Sequence, residues 1–176
     1  MKKVVLTYGA ISGLVVTTMM LGMVPLWQED GQMDMDKGEI LGYISMIVSL
    51  SMIFFGVKNY RDKHQEGVIT FGKAFKVGFL IALVASSIYV AGWMFYYGIS
   101  EAAQDFPQKY VDYQIEQMVQ NGASEVEIEE KRVENQQFLE MYKNPFIRIG
   151  MTLMEILPVG LLVSLLTALI LKRKTA

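Results

Sequence analysis

The chain contains no cysteine, a single histidine and four prolines. Without thiols there can be no disulfide, no thiolate metal site and no cysteine nucleophile. His64 stands in Arg61-Asp62-Lys63-His64, with no serine nucleophile elbow, zinc-type HExxH or phosphate-binding GxxxxGK in the chain. A catalytic imidazole needs an oriented partner and a pocket, so His64 is expected as an exposed loop residue. Met33-Asp34-Met35-Asp36 offers thioethers of the kind that suit Cu(I), yet no His or Cys accompanies them and the calcium-loop spacing is missing. Adaptable packing is the plainer role for those methionines. The expectation is therefore a protein that is not an enzyme, holds no cofactor or metal and binds no nucleic acid.

What the chain has instead is hydrophobic length. Of its 176 residues 52% are hydrophobic, and they collect in four stretches, at about 4–26, 40–57, 77–97 and 146–171. A helix rising ~1.5 Å per residue needs about 20 mostly apolar residues to cross a ~30 Å hydrocarbon core. The expected fold is all-α: one integral membrane four-helix bundle over residues 1–176. The first stretch follows Lys2 and Lys3 and so resembles a signal peptide. It exceeds the ~7–15 residues of a signal core and ends without an A-x-A-like site, so it is expected to stay as the first span.

The polar segments alternate in sign. Basic ones are the N-terminal Lys2 and Lys3, the second connection with Lys58, Arg61, Lys63, Lys73 and Lys76, and the tail Lys172-Arg173-Lys174. Acidic ones are residues 28–39, with Glu29, Asp30, Asp34, Asp36 and Glu39 against Lys37, and residues 99–145, with ten acids against four bases. Basic segments near span ends resist translocation, which predicts both termini and the second connection in the cytoplasm. The expected location is a bacterial inner membrane.

Small residues recur at four-residue spacing: Gly9 and Gly13, Gly38 and Gly42, Gly78 with Ala82, and Gly160 with Ser164. In lipid such stripes let helices approach closely, either within one chain or in a homo-oligomer. Between the last two spans, residues 106–143 predict a helical hairpin. Pro107 suits its first turn, Asn121-Gly122 its bend, and Ser124 with Glu127 a capping box for the second helix. Asn144-Pro145 then starts the last span. This exposed acidic hairpin is a candidate protein-partner surface. Phe71-Gly72-Lys73-Ala74-Phe75-Lys76 is expected to extend the third helix into the interface, where Arg61, Lys63, Lys73 and Lys76 meet anionic headgroups of the bilayer. Trp27 and the cluster from Trp93 to Tyr97 fit aromatic belts and imply no ligand.

Glu155 is the candidate polar site, because an acid inside a membrane segment is functional by default. Arg148 is two turns earlier and Pro158 three residues later, where it frees the Met154 carbonyl. Counting back from Lys172 puts Glu155 about one turn inside the outer boundary. Proton or ion coupling, a structural bond to Arg148 or to backbone, and interfacial exposure are all open.

Gly42-Tyr43-Ile44-Ser45-Met46, Phe54-Phe55-Gly56-Val57-Lys58-Asn59-Tyr60-Arg61-Asp62 and Gly67-Val68-Ile69-Thr70-Phe71-Gly72-Lys73-Ala74-Phe75 resemble the bacterial family catalogued as domain of unknown function 4199. Asn144-Pro145 and Glu155-Ile156-Leu157-Pro158-Val159-Gly160 resemble its last-span pattern. The resemblance spans nearly the whole chain and implies a small four-span inner-membrane protein. It carries no activity or catalytic residue with it. Two functional classes are open: a non-enzymatic accessory or interaction component, and a small oligomeric transporter or channel using Glu155 near Pro158.

Overall fold

The computed structural model describes residues 1–23, 28–29 and 32–173. Trp27, Asp30 and Lys174, along with the side chain of Met33, lie outside the described residues. Among the described residues seven helices follow one another: α1 (Lys2–Met23), α2 (Met35–Leu50), α3 (Met52–His64), α4 (Phe71–Ile99), α5 (Glu101–Gln120), α6 (Glu125–Tyr142) and α7 (Pro145–Leu171). One two-residue antiparallel pairing, β1 (Gln28–Glu29) with β2 (Gln32–Met33), precedes α2. No strand was expected there, and the ladder is too short to alter the all-α class.

Four helices are long and apolar enough to cross a membrane: α1, α2 continuing through α3, α4 and α7. Ser51 separates α2 from α3 with helical dihedrals, and its hydroxyl bonds back to the Val48 carbonyl at 2.6 Å. Such back-bonding loosens a helix without ending it, so the pair runs on as one rod.

Each end is set by a local signal. Thr70 caps α4 through the Lys73 amide, so α4 begins at Phe71, where Phe71, Phe75 and Phe79 stack along one side. Asn144 caps α7 with Pro145 in the first turn. Ser124 and Glu127 close a reciprocal capping box, and Gly122 takes φ +75° at the hairpin bend. Pro107 departs from expectation. Ser100, accepting from the Ala103 amide, starts α5 at Glu101, so the proline sits buried inside the helix rather than in its first turn. The stronger cap wins, and one backbone bond is forgone.

α4 forms the centre. It meets α1 along one side and α7 along another: Gly9 and Gly13 of α1 lie against Val84, Ala85 and Ile88, Gly78 of α4 against Ser164, and Gly160 of α7 against Ala82. The first set runs in the same direction on both helices and the second in opposite directions, as in an up-and-down bundle. Arg173 bonds the Ile69 carbonyl at 2.9 Å, which places the end of α7 beside the α3–α4 connection. The α5–α6 hairpin is at the opposite end, held together by Asn135 donating to the Val111 carbonyl at 3.3 Å.

Candidate functional site

A cleft of about 530 Å³ opens at the hairpin end among α2, α4, α5, α6 and α7. Clefts of roughly 300–1,000 Å³ are the usual size for small-molecule sites. Residues spaced by four and three fall on one helical face, and three helices use that spacing to build the walls. From α4 come Tyr89, Trp93 and Tyr96; from α5, Phe106, Tyr110 and Tyr113; from α6, Phe138 and Tyr142. The rings interlock. Trp93 meets Phe106 edge-on at 5.9 Å, and its indole N–H donates to the Tyr142 hydroxyl at 3.0 Å. These contacts make the Trp93–Tyr97 cluster more than an aromatic belt. Phe95 alone of the group points well outward, at 69% exposure.

The Tyr113 hydroxyl donates to the Asp36 carboxylate, tying α5 to the first turn of α2. That bond pushes the Tyr113 phenol up to about 12, because ionising it would forfeit the contact and place two negative charges together.

Glu155 lines the cleft with Met151 and Thr152. It makes no hydrogen bond or ion pair among the described residues. Arg148 does not approach it. Its guanidinium lies 3.7 Å from the Tyr97 ring centre and 5.7 Å from that of Tyr142, and it donates to the Tyr142 carbonyl and Met94 Sδ, both at 3.4 Å. The structural bond weighed between Glu155 and Arg148 is therefore not formed. Seven residues put the two on one face but about 10 Å apart along the axis, and the rings draw the arginine the other way. Pro158 is exposed and does not line the cleft. Among the described residues no cluster of three or more metal-ligating side chains occurs.

The small residues divide. Gly9, Gly13, Gly78 and Gly160 are packing positions, where an added Cβ would come within 2.6 to 3.1 Å of a neighbour. Ala82 and Ser164 are their buried counterparts. Gly38 and Gly42 both line the cleft, and Gly42 is not part of such a seam, since a Cβ on it would meet nothing within 4 Å. Two close approaches had no repeat to advertise them: Gly56 against Tyr8 and Gly92 against Thr17.

At the other end Lys63, Lys73 and Lys76 are exposed. Arg61 is not available as a headgroup contact in this arrangement. It is 7% exposed and paired with Asp62 at 2.7 Å. His64 is exposed as expected, although it ends α3, with its ring stacked on Tyr60 at 5.5 Å.

The arrangement defines a class: an all-helical membrane bundle carrying a helical hairpin over a ligand-sized cleft. The chain belongs to the family described as protein of unknown function (DUF4199), which matches residues 7–173. No curated protein and no solved structure matches it.

Proposed function

We propose that the protein is a non-enzymatic accessory component of a bacterial inner membrane that engages a protein partner through the α5–α6 hairpin. Both termini lie in the cytoplasm in this reading, and the hairpin lies outside. The hairpin's surface carries the reading. It is strongly acidic, yet Val119, Val126, Val133 and Met141 are exposed on it, apolar groups that water does not favour. The alternating charge of the connections supports the orientation. Lys63, Lys73 and Lys76, near the Phe71–Phe75 stack, suit anionic headgroups at the cytoplasmic face, each worth on the order of 1 kcal/mol near the surface.

Photocrosslinking from Val126 and Val133 in cells tests the partner. One reproducible protein adduct is expected, and its absence from both positions ends the reading. Because the chain lacks cysteine, Ser124→Cys reports the orientation by itself. An impermeant maleimide added to intact spheroplasts is expected to label it, and labelling only after lysis reverses the topology.

A small oligomeric transporter or channel is the second reading. The observation favouring it is Glu155 in the wall of a cleft, three residues before Pro158. Proteoliposome flux that Glu155→Gln leaves unchanged removes that version.

A further inference from the structure

We infer that the cleft beneath the hairpin is a binding site for an organic cation, an ammonium or similar onium group bearing apolar substituents. The inference rests on reading the chain as a membrane bundle and goes beyond its partner-binding role. Three features converge on it. The lining is aromatic, with Tyr89, Trp93 and Tyr96 from α4 and Phe106 and Tyr110 from α5. Ring faces are negative and attract a cation, by roughly 0.5–1 kcal/mol at exposed sites and about 2 or more when water is excluded.

The charge of the lining is one-sided. Among the described residues two carboxylates, Glu39 and Glu155, border the space and no lysine, arginine or histidine does. Neither acid has a hydrogen-bond or ion-pair partner among the described residues. The nearest base on the same helix, Arg148, is occupied elsewhere, with its guanidinium on Tyr97 and Tyr142. It also demonstrates the chemistry, since Tyr142 holds that cation and lines the cleft as well.

Other occupants fit less well. An anion would face two carboxylates with only phenol, indole and hydroxyl donors to set against them. A neutral apolar molecule would make no use of Glu39 and Glu155, which are exposed at the border of the space and without a hydrogen-bond or ion-pair partner among the described residues. A metal ion lacks the ligands, since no group of three or more is assembled among the described residues. Gly42 borders the space, and a Cβ there would touch nothing within 4 Å.

The test uses the full chain in a non-ionic maltoside detergent, with tetraphenylphosphonium as probe and tetraphenylborate as its near-isosteric anion. Equilibrium dialysis is expected to show saturable binding of the cation and none of the anion. Glu155→Gln is expected to weaken it by about tenfold or more, Glu155→Asp to retain most of it, and Glu125→Gln on the hairpin to leave it unchanged. Gly42→Leu, which adds bulk at the border of the cleft where a Cβ meets nothing within 4 Å, is expected to block binding while helicity and elution volume stay as in the parent. Displacement by a short-chain phosphatidylcholine assigns the ammonium group to a lipid, and persistence of the probe assigns it to a soluble cation. Equal binding of the borate, or an affinity that Glu155→Gln does not change, overturns the inference and makes the cleft an apolar or acyl-chain pocket. Crosslinking from Val126 reads the partner separately, so either proposal can fail alone.

Discussion

Along the bundle glycine, alanine and serine lie between α1, α4 and α7, from Gly78 against Ser164 to Gly92 against Thr17; at the hairpin end, tyrosine, tryptophan and phenylalanine line the space between α4, α5 and α6. Lipid offers little hydrophobic drive between helices, so the first region depends on backbone approach and van der Waals contact. The second is held by ring packing, the Trp93–Tyr142 hydrogen bond and the Tyr113–Asp36 tie. Small residues close the bundle, and large planar ones brace it open around a cleft. α4 belongs to both regimes, with Gly78, Ala82 and Ala85 buried in one and Trp93 and Tyr96 in the wall of the other.

The sharpest way to break this contrast is a pair of glycine substitutions. Gly13→Ala puts a Cβ 2.7 Å from that of Ile88 and 3.0 Å from the Ala85 carbonyl, so thermal unfolding in detergent should show a loss of about 1–3 kcal/mol. Gly42→Ala meets nothing and should gain about 0.5–1 kcal/mol from helix propensity. Equal losses at both sites would mean that the seam and the cleft border do not differ in packing. Trp93→Phe keeps a ring but removes the donor to Tyr142 and should cost about 1 kcal/mol.

Ser124→Ala removes the hairpin cap and should lower hairpin helicity with a cost of about 0.5 kcal/mol, leaving the tight end unaffected. The same cap gives a pH signature. Hydrogen bonds from the Ser124 amide and hydroxyl hold the Glu127 carboxyl below its ordinary 4.5. A group with a lowered folded value supports the fold above 4.5 and loses that support as pH falls through the lower value. Circular dichroism should therefore show the parent hairpin fraying in acid and the Ser124→Ala variant showing less of that pH response. The smallest effect is expected at Ser86, whose fully buried hydroxyl lacks a partner among the described residues. Ser86→Ala should leave stability unchanged or raise it by about 0.5 kcal/mol.

Much of the architecture was legible in the residues. Twenty-odd apolar positions in a row, Ser124 with Glu127, Asn121-Gly122 and Asn144-Pro145 are local signals, and local hydrogen bonds enforce them. Pro107 misled because proline at a helix start and a tolerated proline inside one look alike until Ser100 is seen capping. The aromatic walls had a signal too. Tyr89, Trp93 and Tyr96 repeat at helical spacing, as do Phe106, Tyr110 and Tyr113, and interface belts offered a sufficient reading of the first set.

The sequence alone determined that four helices of membrane length form and how the hairpin turns, since these follow from hydropathy and turn residues within a few positions of one another, although α2 begins at Met35 behind the Asp34 cap and not near 40. Only the tertiary structure decided which small residues are contacts and which are doorways. Gly13 and Gly42 sit in similar four-residue repeats, yet one touches α4 and the other borders an open cleft. It also decided that Arg148 rests on tyrosine rings and leaves Glu155 without a partner among the described residues. Those choices depend on which helix stands opposite, and no spacing within a single helix encodes its neighbour.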